Sequence, residues 1–370
     1  MKILFLANHL DVGGISSYLL TLSSGLVRRG HHAHLACAGG SQVSRFISFE
    51  RTFFIPVATR TKAEFNPLRL ARNLGILTRY VRQKDIEIIH SNTRVTQVLG
   101  ELLSRVSGIS HVSTCHGFFR KSALRTVFPC WGWRTIAISR QVAEHLVQDL
   151  GVQEKNVRII HNGIDFVRFS GSSAAGRKAF RRVLGLEEAP LVGIIARLSD
   201  VKGHLYLIEA MQAVRRRFSD VRLLIVGEGK MEMALRKKAR ELGLEECVIF
   251  MPKVPDTAEA LAAMDVFVLP SLQEGLGLSL MEAMASGLAV VASSVGGIPD
   301  LLRHNENGLL VEPGNTEALA ASIQELLGDA SKRRSLGNAA RAFMQENFSQ
   351  ERMCLETERV YLECLREKSL

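Results

Sequence analysis

The chain has 370 residues, 46% of them apolar and 23% charged, and a formal charge of +10. That length exceeds the size at which one hydrophobic core keeps growing, so two domains are expected, and the composition excludes a disordered or fibrous protein. The charge is uneven: residues 1–165 hold 21 Lys and Arg against 10 Asp and Glu, a net +11, whereas the remainder holds 26 against 27, a net −1. The first predicted element is the strand KILFLA (2–7), too short for the apolar region of a signal peptide. An amphipathic stretch from Ile15 to Arg29 and a strand HAHLACA (32–38) follow. IEIIH (86–90), HVSTC (111–115), TIAIS (135–139) and VRIIH (157–161) are further strands, each near a helical segment. Strands alternating with helices predict a parallel sheet covered on both faces.

Between Phe166 and Pro190 the strand pattern stops, and GSSAAG with many charges marks a domain boundary. The pattern then restarts with PLVGIIA (190–196), VRLLIVG (221–227), CVIFM (247–251), VFVLP (266–270) and LAVVAS (288–293), with helices at 203–218 and 230–243. The end of the chain reads as helices punctuated by Gly314 and Gly328. Two successive doubly wound units imply a crevice between them, with ligands beyond the carboxyl ends of the strands. No apolar run approaches the ~18 residues that cross a bilayer. The six cysteines, Cys37, Cys115, Cys130, Cys247, Cys354 and Cys364, show no C-x-x-C pair and no metal-ligand spacing, so free thiols in a reducing cytosol are expected. No internal repeat, and nothing that specifies an oligomer, is legible.

The segment most suggestive of chemistry is PSLQEGLGLSLMEAMASGLAVVAS (270–293). A strand ends at Pro270, a loop with Gly275 and Gly277 follows, and a helix begins near Gly277 to Ser279. Glycines let backbone amides approach a ligand, and a helix N-terminus favours an anion such as phosphate. Glu274 in the loop and Glu282 in the first turns are acceptors for sugar and ribose hydroxyls. The spacing alone is equally served by a helix cap between two solvated glutamates.

EGLGLSLME (274–282) resembles the E-x7-E pattern of the retaining glycosyltransferases of family four, and the likeness runs along nearly the whole chain. Gly13 and Gly14 match the glycine loop after the first strand, Gly30-His31 the end of the first helix, and His116-Gly117 the acceptor-side histidine. HNGID (161–165), Arg197, Lys202-Gly203, Gly227-Glu228-Gly229, Gly296-Gly297 and NGLLV (307–311) continue the match in order. The resemblance implies the GT-B fold, two Rossmann-like doubly wound domains facing each other across a cleft. The domains would be 1–168, joined by the C-terminal helix at about 350–370, and 169–349. It further implies that Arg197 and Lys202 bind the donor diphosphate together with the backbone of Gly275, Leu276, Gly277, Leu278 and Ser279. Glu282 would hold the ribose, the stretch containing Val254 would lie near the nucleobase, and Gly13, Gly14 and Asn162 would complete the donor side. Glu274 would act at the transferred sugar, and His116 would hydrogen-bond it. Asn162 and Ser139 would help wall the crevice.

No Asp-x-Asp motif occurs, in agreement with chemistry that needs neither metal nor cofactor, a nucleotide-sugar, expected to be a UDP-sugar, being the substrate. Two departures stand out: Pro252 where the family usually has Gly, and Ala289 where Pro is common. Residues 117–134 combine both tryptophans and three phenylalanines with Arg120, Lys121, Arg125 and Arg134. Such a segment suits shallow insertion among anionic headgroups, or a loop with its aromatics turned inward. With the positive first half, it predicts a glycan or lipid-linked acceptor, as in lipopolysaccharide or polysaccharide synthesis, at the cytoplasmic face of the membrane. The alternatives are an epimerase or phosphorylase on the same fold, for which no acid–base pair is visible, and a nucleic-acid-binding protein, for which no RNP, KH, zinc-finger or helix-turn-helix pattern is present. No nucleic-acid partner is therefore expected.

Overall fold

The computed structural model describes residues 1–59, 66–121, 123–170, 174–186 and 188–368. The chain divides into two compact units, Met1–Gly163 with Gln350–Leu370, and Ile164–Ser349.

The first unit carries seven strands, β1 (Lys2–Leu6), β2 (His32–Cys37), β3 (Thr52–Pro56), β4 (Ile88–Ser91), β5 (Ser110–Cys115), β6 (Arg134–Ala137) and β7 (Val157–Ile159). They form one parallel sheet in the order β3-β2-β1-β4-β5-β6-β7. Successive strand residues point to opposite faces, which sorts β1 between two cores. Ile3 and Phe5 pack with Leu35, Val112 and Ile136 beneath helix Gly14–Arg28 and the C-terminal helix Gln350–Lys368. Leu4 and Leu6 pack with Ile89, Leu77 and Leu103 beneath helices Pro67–Lys84 and Arg94–Ser107. Burial on both faces is why these strands read as continuous apolar runs. The C-terminal helix lies so close to helix Gly14–Arg28 that a Cβ on Gly25 would stand 2.4 Å from Cys354 Sγ. Its Glu363 also accepts from Arg158 Nη2 at 2.9 Å.

The second unit carries β8 (Leu191–Ile195), β9 (Arg222–Val226), β10 (Val248–Met251), β11 (Val266–Leu269), β12 (Ala289–Ser293) and β13 (Leu309–Val311). These form a six-stranded parallel sheet in the order β10-β9-β8-β11-β12-β13. Its core joins Val192, Ile194, Leu223 and Val266 to Leu207 and Met211 of helix His204–Arg217 and to Ile323 of helix Thr316–Gly328. In each sheet the strand order reverses once, between β1 and β4 and between β8 and β11. Ligands of doubly wound sheets bind at such switch points.

Two features depart from the sequence expectation. The short edge strands β3 (TFFIP) and β13 (LLV) are additional to the strands expected from sequence. Within the described residues the charged stretch after Phe166, expected to mark the domain boundary, holds helix Ala174–Val183. Arg177 of that helix reaches Asp265 Oδ1 at 2.7 Å, and Arg181 donates to Ala263 O at 2.8 Å. Arg177 and Arg181 thus make structural contacts within the second unit, and the division into units falls just before Ile164. Residues 171–173 and 187 of that stretch lie outside the described residues. Among the described residues no helix is long and apolar enough to cross a membrane.

Candidate functional site

At the switch point of the second sheet, β8 and β11 end side by side and release two loops toward the same edge. The first carries Arg197 and Lys202, the second Glu274. They are held together by backbone: Leu272 N donates to Val201 O at 2.8 Å. Gly203 sits at φ 70°, and a Cβ there would stand 1.8 Å from Pro270 O, so only glycine allows this approach. As a result Lys202 Nζ donates to Glu274 Oε2 at 2.5 Å, with the two side chains 19% and 12% exposed. Ser271 Oγ donates to the same oxygen at 3.3 Å. From the other side, Gly296 at φ 55° lies so close that a Cβ would stand 1.7 Å from Glu274 O. Gly297 N donates to that carbonyl at 3.3 Å. The position of Glu274 is therefore fixed by three loops.

Helix Leu278–Ala285 begins directly behind it. Gly277, at φ 93° and ψ 62°, provides no side-chain cap. The first amides of any helix lack intrahelical acceptors, so this turn offers N–H groups to an anion. Leu278 and Ser279, half-buried, head the helix, while Leu276 is buried beneath it and Gly275 bridges to Glu274. Glu282 is 6% exposed and accepts from Thr257 Oγ1 at 2.8 Å, which excludes the reading of a solvated glutamate. Thr257 closes the loop after β10 that contains Pro252 and half-buried Val254. Arg197 is exposed and has no ion pair among the described residues. Its loop is supported by Gly229, where a Cβ would meet Leu198 O at 2.2 Å. One loop cluster thus presents a cation without a carboxylate, a cation shared with a carboxylate, open amides and a second, buried carboxylate. Together these suit a phosphorylated ligand bearing hydroxyls.

The switch point of the first sheet is built from neutral groups. His116 follows β5, and its Nε2 donates to Asn92 Oδ1, which follows β4, at 3.1 Å. Burial lowers the His116 pKa to about 3, so the ring is neutral at ordinary pH, and the bond to Asn92 leaves Nδ1 as an acceptor. Tyr18 stacks edge-on at 4.8 Å. Behind it runs a buried chain: Tyr18 OH to Thr114 Oγ1 at 3.1 Å, Thr114 to His90 Nε2 at 2.7 Å, and His90 Nδ1 to Tyr361 OH at 2.6 Å. Gly13 and Gly14 head helix Gly14–Arg28, exposed and uncapped, and a Cβ on either would meet nothing within 4 Å. Their bareness is required neither by backbone angle nor by neighbours, which leaves the helix terminus open. Asn162, after β7, is 6% exposed, and its Oδ1 has no hydrogen-bond partner among the described residues. Ser139 is different: its Oγ accepts from Val142 N at 3.2 Å and caps a helix. Asn92, Thr257 and Ser271 belong to no motif in the sequence, and only Asn92 carries a usable signal, standing next to the carboxyl end of a strand.

Of the aromatic and basic stretch 117–134, much is turned inward. Trp131 is 6% exposed, Arg125 stacks over Phe119 at 4.6 Å and over Trp131 at 5.3 Å, and Arg134 is ion-paired with Glu363 and Glu367. Arg120, Lys121, Val127 and Trp133 face solvent. Ser122 lies outside the described residues.

Comparison with known proteins shows the family. The family models described as "Glycosyltransferase Family 4" and "Glycosyl transferases group 1" match residues 12–168 and 176–343. An uncharacterized glycosyltransferase of Methanocaldococcus jannaschii is 29% identical, over 95% of this chain and 94% of that protein. The N-acetyl-alpha-D-glucosaminyl L-malate synthase of Bacillus anthracis is 26% identical over 96% of each. Among solved structures, Anabaena HepE in complex with UDP-glucose superposes with a TM-score of 0.86 at 23% identity, over 98% of this chain and all of that one. That likeness concerns fold, and the fold is GT-B.

Proposed function

This chain belongs to the family-four, group 1 glycosyltransferases, and on that premise we propose that it transfers a sugar, with retention and without a metal, from a UDP-sugar to a glycan or lipid-linked acceptor. The observation that carries the reading is the Lys202–Glu274 pair at the mouth of an uncapped, glycine-started helix. A diphosphate seated on the helix amides would draw Lys202 and Arg197 toward its oxygens. Each cation ~4 Å away contributes about 4 kcal/mol of attraction at an effective dielectric of 20, before desolvation. That charge is greatest on the departing diphosphate, so the same groups stabilise the leaving group in place of a metal ion. Lys202, drawn to phosphate, would release Glu274 to accept from a sugar hydroxyl close to the anomeric carbon. Glu282 is assigned the ribose, Val254 and its loop the base. Neutral His116, oriented by Asn92, is assigned a hydrogen bond to the transferred sugar, with Asn162, Gly13 and Gly14 as further contacts. The UDP assignment is supported by HepE, whose structure holds UDP-glucose. Acceptor work at the cytoplasmic face of the membrane, assisted by the exposed part of 117–134, completes the reading.

Melting temperatures measured with UDP-, GDP- and ADP-sugars test it. A ligand at a hundredfold excess over its Kd stabilises the native state by about 2.7 kcal/mol, so UDP-glucose or a related UDP-sugar should raise the melting point. Arg197→Ala removes a charged hydrogen bond and should weaken donor binding by roughly 10- to 100-fold. A shift undiminished in Arg197→Ala, or no shift with any nucleotide-sugar, would sink the assignment. Release of UDP only when acceptor is present distinguishes transfer from epimerisation.

A further inference from the structure

Helix Pro67–Lys84 in the first unit carries Arg69, Arg72, Arg79, Arg82 and Lys84 and no acidic residue. One stripe, Asn73, Leu77 and Val81, is buried against the sheet. At 100° per residue, the exposed residues Leu68, Arg69, Arg72, Gly75, Ile76, Arg79 and Arg82 fall on an arc of roughly 140° opposite that stripe. Leu68 is 81% exposed and Ile76 40% exposed. They lie eight residues apart, roughly 12 Å along the axis. Among the described residues Arg69, Arg72, Arg79 and Arg82 have neither an ion pair nor a hydrogen bond from their side chains, whereas helices Arg94–Ser107, Glu232–Glu241 and Gln350–Lys368 each pair surface charges at i, i+4. Beside the helix runs an open groove of about 570 Å³, with Leu74, Gly75, Arg79 and Arg82 on one side and Val106, 51% exposed, on the other.

We propose that this face of helix Pro67–Lys84 docks the protein on an anionic phospholipid bilayer, with Leu68, Ile76 and Val106 inserted among the headgroups and the four arginines on lipid phosphates. Unpaired positive charge with no acidic neighbour on the helix is complementary to such a surface. The exposed aliphatic side chains among the arginines favour a bilayer over a nucleic acid, because a phosphate backbone offers nothing to bury them in, whereas a headgroup layer does. Arginine stems lie along the apolar zone while their guanidinium groups stay at phosphate depth. The site is distinct from the 117–134 segment, whose aromatic and cationic side chains are largely used internally. The proposal deepens the lipid-facing part of the function above but does not depend on the donor site.

Flotation of the full chain with phosphatidylcholine vesicles, with and without one-third phosphatidylglycerol, provides the test. Binding is expected to the anionic vesicles alone and should weaken as salt shortens the Debye length. Arg72→Ala with Arg79→Ala should lower the partition coefficient by about 25-fold, roughly fivefold per arginine near the surface. Leu68→Ala with Ile76→Ala should lower it by a smaller factor. All four side chains are exposed, so the variants should keep the wild-type melting point and the wild-type shift with UDP-glucose. That readout separates loss of docking from failure of the donor assignment. No binding to anionic vesicles, equal binding by the arginine variant, loss only with Arg120→Ala and Lys121→Ala, or tighter binding to random duplex DNA than to vesicles would each overturn the proposal.

Discussion

The two sheets have the same doubly wound topology, yet their switch points are furnished in opposite ways. The first, in the half of the chain with a net +11, gathers neutral hydrogen-bonding groups: His116, Asn92 and the Tyr18–Thr114–His90–Tyr361 chain. The second, in the half with a net −1, gathers Arg197, the Lys202–Glu274 pair and an uncapped helix. Net charge therefore does not locate the anion site. A diphosphate is bound by a few groups within contact distance, where Coulomb energy is large, whereas summed surface charge acts through screening solvent. The excess positive charge belongs to another task, and the unpaired arginines of helix Pro67–Lys84 are where it is concentrated.

The largest effect should follow from breaking the second switch point at its carboxylate. Glu274→Gln keeps the shape but removes the charge that Lys202 and Ser271 hold. If Glu274 acts on the transferred sugar, kcat should fall by about 100-fold or more while the Kd for UDP stays within a few-fold. A mainly structural Glu274 would show the reverse, a lower melting point and little change in turnover per folded molecule.

Next in size is the glycine framework. Gly203→Ala and Gly296→Ala put a Cβ into the carbonyls of Pro270 and Glu274 and strain positive-φ positions. Each should cost about 2–4 kcal/mol of stability and weaken donor binding, measured by denaturant titration and calorimetry. Gly13→Ala and Gly14→Ala in the first unit, where a Cβ meets nothing, should leave stability within about 0.5 kcal/mol. Equal losses at both pairs would remove the contrast.

At the first switch point, Asn92→Ala frees the His116 ring from the partner that sets its tautomer. About tenfold lower kcat is expected, with donor affinity unchanged and partial recovery in Asn92→Asp. An unchanged kcat would mean that Asn92 only fills space.

The parts of this architecture that were legible beforehand were those with a local cause. Central strands buried on both faces read as apolar runs, and the glycine loop at 275–277 opens its helix where expected. What stayed hidden depends on distant partners. Arg177 and Arg181 read as charges of a boundary stretch until Asp265, far along the chain, is brought to them by β11. Gly296 gives no hint that it packs on Glu274, and Thr257 none that it holds Glu282. Likewise, Trp131 and Arg134 in 117–134 suggest a sticky surface from composition, although the fold encloses them.

The remaining contrast concerns acid, and it again separates the units. Burial lowers the pKa of His90 and His116 to about 3 and of His34 to about 4, all in the first unit, and of His204 to about 4 in the second. An unfolded imidazole takes up its proton near pH 6.5. Between that pH and about 4 the unfolded state therefore binds more protons than the folded one, so stability is complete above about 6.5 and declines as pH falls through the window. With His31, whose pKa burial also lowers, four such histidines against one should make the first unit lose hydrogen-exchange protection before the second as pH is lowered from 7 to 4.5. His90→Gln, which keeps polar groups toward Tyr361 and Thr114, should flatten the decline in the first unit and leave the second unaltered. Simultaneous loss in both units, with the same slope in the variant, would mean that the buried imidazoles do not govern acid stability.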